Sequence, residues 1–379
     1  MRYGYTPFCM TEIVFADKKK LWDTLESLDG NLVIIVSKSS VMRWEFENQI
    51  HHMDEKTRAR GKSFIWIDSV AANPTPEDVA AVLHRIGGRT VDTIIAIGGG
   101  SAIDLAKAIG AFKEMAGCIN QEIIIDGIRT KSYMHSSFPD IIAVPSTAGT
   151  GSEVTQWATL WDKKNKVKYS LDTPELQPKL AIIVPELTTS LPSTMTLSTG
   201  LDALCQAVEA YWSKHTSPLV QEIALRAVEL IMENLRNGVD EPKNLQARQR
   251  LCMASTLAGM AFAKTKTTAC HSISYPLTLF FDVPHGFAVS LTLGAVLERN
   301  LGHFPNDKRL LSSFDQHGGL NTWLESVCRE VIELRLPVFG ISAEDLPVIV
   351  HNAFAEGRMD NNPVALTEDD VMDILMSVM

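Results

Sequence analysis

A chain of 379 residues that is 45% hydrophobic and 21% charged can bury a sizeable core and is longer than one ordinary domain, so two domains are expected. Its net charge is −10 and its pI about 5.5, and no basic run or basic stripe interleaved with aromatics occurs, which argues against nucleic acid or an anionic membrane as partner and leaves small molecules.

The N-terminal stretch MRYGYTPFCMTEIVFADKKK has no apolar segment behind a basic one, and no run of about 18 apolar residues exists anywhere. Neither export nor membrane insertion is expected, and a cytoplasmic location follows. The six cysteines (Cys9, Cys118, Cys205, Cys252, Cys270, Cys328) are scattered without a CxxC pair, which fits reduced thiols rather than a disulfide framework.

Up to about residue 190, short β-branched runs alternate with helical patterns: LVIIVS at 32–37, FIWIDS at 64–69, TIIAIGGGS at 93–101, IIAVPST at 141–147 and LAIIVP at 180–185. Alternation of this kind predicts βαβ units and a mostly parallel sheet. After Leu191 the strand signal stops. Apolar residues then recur at helical spacing over 196–213, 217–236, 244–263, 267–279, 285–299, 321–334 and 365–378, separated by Pro, Gly and Asn. The chain therefore reads as an α/β domain over 1–190 followed by an all-helical domain over 191–379.

Two loops of the first domain suit a nucleotide. In IIAIGGGSAIDLAK an apolar strand runs into Gly98, Gly99, Gly100 and Ser101 and then into a helix carrying Asp104, so backbone amides at a helix N-terminus can meet a pyrophosphate. It is not the GxGxxG fingerprint, and a tight structural turn is the alternative. In VPSTAGTGSEVT, the hydroxyls of Ser146, Thr147, Thr150, Ser152 and Thr155 follow a strand end among glycines, at a density that suits phosphate, ribose or carboxamide.

In the second domain Asp202 is followed much later by His271 and His285, fourteen residues apart, a plausible ligand set for a divalent metal. Gln206 stands one helical turn after Asp202, where a third imidazole would complete the set.

The motifs GGGSAIDLAK, VPSTAGTGSEVT, TGLDAL with EAYW, and H with VPHG, in this order over most of the chain, resemble the iron-containing (group III, metal-dependent) alcohol dehydrogenase family. The resemblance implies an α/β nucleotide-binding domain, a helical metal-binding domain shared in architecture with dehydroquinate synthases, and an active site in the cleft between them. It also implies NAD(P)-dependent interconversion of an alcohol and a carbonyl, with Fe²⁺ ahead of Zn²⁺ or Mn²⁺ as the metal, and a homodimer or larger homo-oligomer.

Carried over by position, the resemblance puts the pyrophosphate on Gly98, Gly99, Gly100 and Ser101, with Asp104 supporting the turn. Ser146 and Thr147 would approach the adenosine side, Ser152 and Thr155 would lie on the loop bordering the nicotinamide, and Lys168 would approach the ribose. Asp202, Gln206, His271 and His285 would hold the metal, with an amide oxygen replacing one imidazole of the family.

Three further departures concern the substrate and cofactor. Lys38, beside Ser37, Ser39 and Ser40, replaces the acidic residue that usually ends the first strand in members preferring NAD, which tolerates or favours a 2′-phosphate unless Lys38 is merely solvated. Tyr275 replaces a histidine that borders the substrate; a phenol with an unperturbed pKa near 10 is a hydrogen-bond donor rather than a proton shuttle, unless it only lines the cleft. Lys264 and Lys266 in AKTKTTACH lie within two turns of His271, where an anionic substrate would supply their counter-charge, aided by Thr267 and Thr268; the alternative is that both lysines are solvated and the aldehyde is uncharged.

The pattern KTTAxHSISYPLT, with WATLWDKKNKVKYSLD and DALxQAVEAYW, is similar to the phosphonoacetaldehyde reductase branch of that family. The expected reaction is thus NAD(P)H-dependent, metal-dependent reduction of a short anionic aldehyde, for example phosphonoacetaldehyde to 2-hydroxyethylphosphonate. A dehydrogenase for uncharged or carboxylated substrates, a dehydroquinate synthase-like lyase, and a metal-free non-catalytic binder are the alternatives.

Overall fold

The computed structural model describes residues 8–115, 119–162, 164–355 and 357–379. By contacts, the chain divides into two compact units. One comprises the described residues up to Thr147 together with Ser152–Ser190; the other comprises Ala148–Gly151 and Leu191–Met379. The four-residue excursion follows from glycine: a Cβ on Gly151 would stand 2.6 Å from Gly259 Cα, so this segment packs directly on a helix of the second unit.

Among the described residues the first unit holds eight strands: β1 (Glu12–Phe15), β2 (Leu32–Ile35), β3 (Phe64–Ile67), β4 (Thr93–Gly98), β5 (Asp140–Pro145), β6 (Trp157–Asp162), β7 (Val167–Asp172) and β8 (Leu180–Ile183). Six of them form a sheet in the order β1-β8-β5-β4-β2-β3, with every pair parallel. β4 shows why such strands read as continuous apolar runs. Ile94 and Ala96 pack into the core on one face while Ile95 and Ile97 pack into the core on the other, so both sides are dry. β1 and the antiparallel hairpin β6–β7 add to the strands expected from the apolar runs; WATLWD and VKYSLD mix polar and apolar residues and so carry no such run.

The second unit is helical. Its long helices are Ser193–Trp212, Pro218–Asp240 and Leu245–Thr265, followed by Ala269–Phe281. The first of these is buried almost all round from Thr196 to Trp212, which makes it the central helix of the unit. Two predicted spans need correction. The helix expected over 285–299 is divided into His285–Ser290 and Leu293–Asn300, with the Ser290 hydroxyl donating to Phe287 O (3.0 Å) at the break. The span over 321–334 ends at Cys328, and Glu330 adopts a left-handed φ of 65°. Helices Asp307–Asp315 and Leu346–His351 were not anticipated, being too short for their period to stand out.

Cys9, Cys205, Cys252, Cys270 and Cys328 carry thiols, and Cys118 lies outside the described residues. Among the described residues no helix is long and apolar enough to cross a membrane.

Candidate active site

The metal candidates assemble within the second unit. Asp202 and Gln206 lie one turn apart on the central helix Ser193–Trp212; His271 sits in the first turn of Ala269–Phe281 and His285 opens His285–Ser290. Glycine makes the last approach feasible, since a Cβ on Gly286 would stand 1.8 Å from the Ser198 carbonyl oxygen. His271 Nε2 lies 3.4 Å and His285 Nε2 3.8 Å from Asp202 Oδ1, and one ligand atom from each of the three residues falls within 4.8 Å of the others. Ligands about 2.1 Å from a tetrahedral ion stand about 3.4 Å from one another, so these separations fit a shared divalent cation.

The polar inventory supports the same fit. Asp202 and Gln206 are 3% and 4% exposed, and Asp202 Oδ1 and Gln206 Oε1 receive no hydrogen bond; His271, though near, lies outside hydrogen-bonding geometry. Two buried acceptors without donors are costly unless a cation satisfies them. Gln206 Oε1, one turn along the same helix from Asp202, is thus a second buried acceptor without a donor. Burial alone would raise the Asp202 carboxyl, but the imidazoles of His271 and His285 and the Gln206 amide outweigh it and bring it below its usual range. Burial likewise lowers His271, yet Glu209 and Asp202 at its two ring nitrogens push it up to about 10.

Glu209 is the residue the sequence reading overlooked. It is fully buried and pairs with His271 Nδ1. Its signal was available: Asp202, Gln206 and Glu209 follow i, i+4, i+7 spacing on one helical face.

Around the ligands, Tyr275 is half-buried and its ring stacks on His285, with centroids 6.5 Å apart and planes 11° from parallel. Lys264 is exposed. Lys266 is half-buried and has φ 59° and ψ 175°, a conformation essentially confined to glycine. It is held there from both sides: its amide donates to Phe262 O (2.7 Å) and its carbonyl accepts from Thr265 Oγ1 (2.8 Å). Thr267 is buried, its carbonyl accepting from Asn361 Nδ2 (3.1 Å). The Thr268 hydroxyl donates to Glu209 (2.8 Å) and accepts from Trp212 Nε1 (2.8 Å), so it is spent inside the unit, contrary to the substrate-donor role expected of it.

The nucleotide candidates gather in the first unit. Crossovers leave β2 and β4 toward opposite ends of the sheet, so their carboxyl ends flank a switch point, the usual ligand crevice of open α/β sheets. Gly98–Ser101 follow β4 there, and Lys38, exposed, opens the helix after β2. The helix Gly100–Phe112 has no side-chain cap, and a Cβ on Gly98 would stand 2.6 Å from Ala102 Cβ and one on Gly99 3.3 Å from Thr147, so glycine at 98 keeps this turn close and a side chain at 99 would press on Thr147. Ser101 Oγ accepts from Asn73 N (3.1 Å), and Ser146 N donates to Gly98 O (2.9 Å). Ser37 caps the Lys38 helix by accepting from Ser40 N (3.2 Å), and its Oγ also bonds Ser40 Oγ (2.8 Å) and lies 3.2 Å from Ser39 Oγ, so all three hydroxyls assigned to that corner engage one another.

Ser152 and Thr155, on the loop expected to border the nicotinamide, are tied to the helix behind the glycine turn. Ser152 Oγ donates to Asp104 (2.7 Å) and accepts from Lys107 Nζ (3.1 Å), and Thr155 is buried with its carbonyl on the same ammonium (2.8 Å). Lys107, fully buried, also donates to Ser152 O (2.7 Å) and Trp157 O (2.8 Å), so it ties the 152–157 segment to the helix behind the glycine turn. Desolvation raises the Asp104 carboxyl against the pull of Lys107, and it lowers Lys107 to about 8 against that of Asp104 and Glu153. Lys168, on β7, lies 5.8 Å over the Trp161 ring.

Residues 11–185 match the family model described as iron-containing alcohol dehydrogenase, and residues 196–379 match that of the Fe-containing alcohol dehydrogenase family, C-terminal. The chain is 32% identical over 329 residues to 1,3-propanediol dehydrogenase of Citrobacter freundii, covering 84% of each. It is 39% identical over 229 residues to phosphonoacetaldehyde reductase of Streptomyces viridochromogenes, covering 60% of this chain and 58% of the relative. Among solved structures, sulfoacetaldehyde reductase from Bifidobacterium kashiwanohense in complex with NAD⁺ superimposes with a TM-score of 0.84 at 29% identity, covering 100% and 99% of the two chains. The chain belongs to the iron-containing alcohol dehydrogenase family, whose members use NAD(P) and a divalent metal. It is an oxidoreductase of the alcohol dehydrogenase and aldehyde reductase type, which sets aside the dehydroquinate synthase-like reading.

Proposed function

We propose that this enzyme reduces a short anionic aldehyde to its alcohol with NAD(P)H, phosphonoacetaldehyde to 2-hydroxyethylphosphonate being the specific reaction. The observation that carries this reading is Lys266, a half-buried lysine held in a glycine-type conformation five residues before His271. Strain of that kind persists where surrounding structure over-determines it, and it concentrates at ligand-binding positions. Two similar proteins, phosphonoacetaldehyde reductase and sulfoacetaldehyde reductase, carry names of two-carbon aldehydes bearing an acid group.

In this reading Asp202, Gln206, His271 and His285 hold a divalent metal, Fe²⁺ ahead of Zn²⁺ or Mn²⁺, which supplies Lewis acidity at the carbonyl oxygen. NAD(P)H, bound at Gly98, Gly99, Gly100 and Ser101 with Ser146, Thr147 and Lys168 alongside, supplies the hydride. Lys38 offers a cation to a 2′-phosphate. Lys266 and Thr267 hold the phosphonate tail, which orients the reacting carbon, and Tyr275 donates a hydrogen bond to the substrate oxygen. The balance is aldehyde, NAD(P)H and one proton to alcohol and NAD(P)⁺. Buried thiols such as Cys205 and Cys270 suit a reducing cytoplasm, and self-association as a dimer or larger assembly belongs to the same reading.

The test is a panel of phosphonoacetaldehyde, succinic semialdehyde, lactaldehyde and propanal with NADH and with NADPH, alongside metal analysis of chelator-free protein and of Gln206→His. Highest kcat/KM for phosphonoacetaldehyde is expected. Propanal or lactaldehyde turned over as well as the acids would favour an uncharged substrate, the reading to which the longer 1,3-propanediol dehydrogenase match points. Absence of metal and of turnover from both proteins would leave a non-catalytic binder.

A further inference from the structure

Glu209 is enclosed by donors. Its Oε1 accepts from Thr268 N (3.1 Å), Thr268 Oγ1 (2.8 Å), Cys270 N (2.8 Å) and His271 N (3.3 Å), while Oε2 pairs with His271 Nδ1. The helix Ala269–Phe281 has no cap from its own N-terminal side chain, so this carboxylate, reaching from the central helix, satisfies its first amides and complements its dipole. A fully buried carboxylate facing four other donors accepts from Nδ1 and therefore requires the proton on that nitrogen. Nε2, 3.4 Å from Asp202 Oδ1, is then the ring atom with a lone pair for a cation.

We propose that Glu209 is the positioning residue that fixes the tautomer and direction of His271 as a metal ligand. This rests on the metal reading of Asp202, Gln206, His271 and His285. The carboxylate couples three requirements. It anchors the turn that bears His271, it orients the ring, and it raises the basicity of the ligating nitrogen, which offsets part of what is lost by having an amide at Gln206 in place of an imidazole. An amide at 209 would keep one acceptor for the backbone amides but would turn its NH₂ toward Nδ1. That selects the opposite tautomer and puts the ring proton on the atom facing the metal position.

The test uses the full chain stripped with chelator and titrated with Zn²⁺, with Co²⁺ absorption as a second readout and the thermal midpoint of the metal-free protein as a measure of structure. Glu209→Gln should bind Zn²⁺ about 10- to 100-fold more weakly and lose the tetrahedral Co²⁺ bands. Thr268→Val removes a donor to Glu209 and the acceptor for Trp212 but leaves the His271 pair; it should lower the midpoint while holding Zn²⁺ affinity within about threefold. Parent-like Zn²⁺ affinity in Glu209→Gln overturns the inference, as does an equal loss in Thr268→Val, which would mark a purely structural role. If Glu209→Gln does not fold, ¹⁵N shifts of His271 in the Zn²⁺-loaded parent decide: a protonated Nδ1 is expected, and a metal-bound Nδ1 refutes it. A parent that binds no Zn²⁺, or binds it unchanged after Asp202→Ala, overturns the metal reading instead.

Discussion

Lys266→Gly separates the two things this lysine is argued to do. Its backbone, at φ 59° and ψ 175°, costs about 1–3 kcal/mol for any residue with a Cβ, and glycine removes that cost while returning about 0.5–1 kcal/mol as unfolded-state entropy. The net gain is about 1 kcal/mol, which for the helical unit is a rise in melting temperature of about 2–4 °C. Loss of the ammonium removes one charge-assisted hydrogen bond to the substrate tail, about 1.5–3 kcal/mol, or roughly 10- to 150-fold in kcat/KM for phosphonoacetaldehyde. Propanal, with no tail, should be reduced at nearly the parent rate. Lys266→Ala is the control: it loses the same activity but retains the strained backbone and gains no stability. Scanning calorimetry and steady-state NAD(P)H oxidation read both effects. A melting temperature that falls in Lys266→Gly, or matches that of Lys266→Ala, refutes the strain argument, and equal losses with propanal refute the tail-binding role.

Other outcomes follow from the same geometry. Gly286→Ala places a Cβ 1.8 Å from Ser198 O and must displace the turn that carries His285, so it should cost about 1–3 kcal/mol in stability and weaken Zn²⁺ binding; parent-like Zn²⁺ affinity would refute the dependence of His285 on that contact. Burial holds Lys107 at about 8 against an ordinary 10.5, so between these values the unfolded chain binds more protons than the native one. Its contribution to stability is fully present above pH 10.5 and is lost as pH falls through about 8. The melting temperature of the parent minus that of Lys107→Met should therefore increase from pH 8 to 10.5, whereas parallel curves would refute the burial of a titrating ammonium. Lys38→Ala should lower kcat/KM with NADPH by roughly tenfold or more and leave NADH nearly unchanged if this lysine meets the 2′-phosphate; equal effects on both cofactors would leave it solvated.

Local chemistry made part of this protein readable from its residues in order. Doubly buried strands are apolar along their interior, as residues 94–97 are, and Gly98 is needed where the chain turns closely into the next helix, so β4 and its turn were legible. The grouping of Asp202, His271 and His285 was legible because their residue types are restricted and their motifs keep their order, and the three side chains do come together. Which polar side chains are engaged within the protein itself could be seen only once distant segments were packed together. The hydroxyls of Ser152 and Thr268 looked like donors in sequence, yet Asp104 and Glu209 accept from them across 48 and 59 residues of chain. The same distance hid Glu209, whose carboxylate gains its role only when a second helix brings the His271 turn against it. A hydrogen bond is a property of two groups, and when its partners lie far apart in the chain, only the packing of helices and strands brings them together.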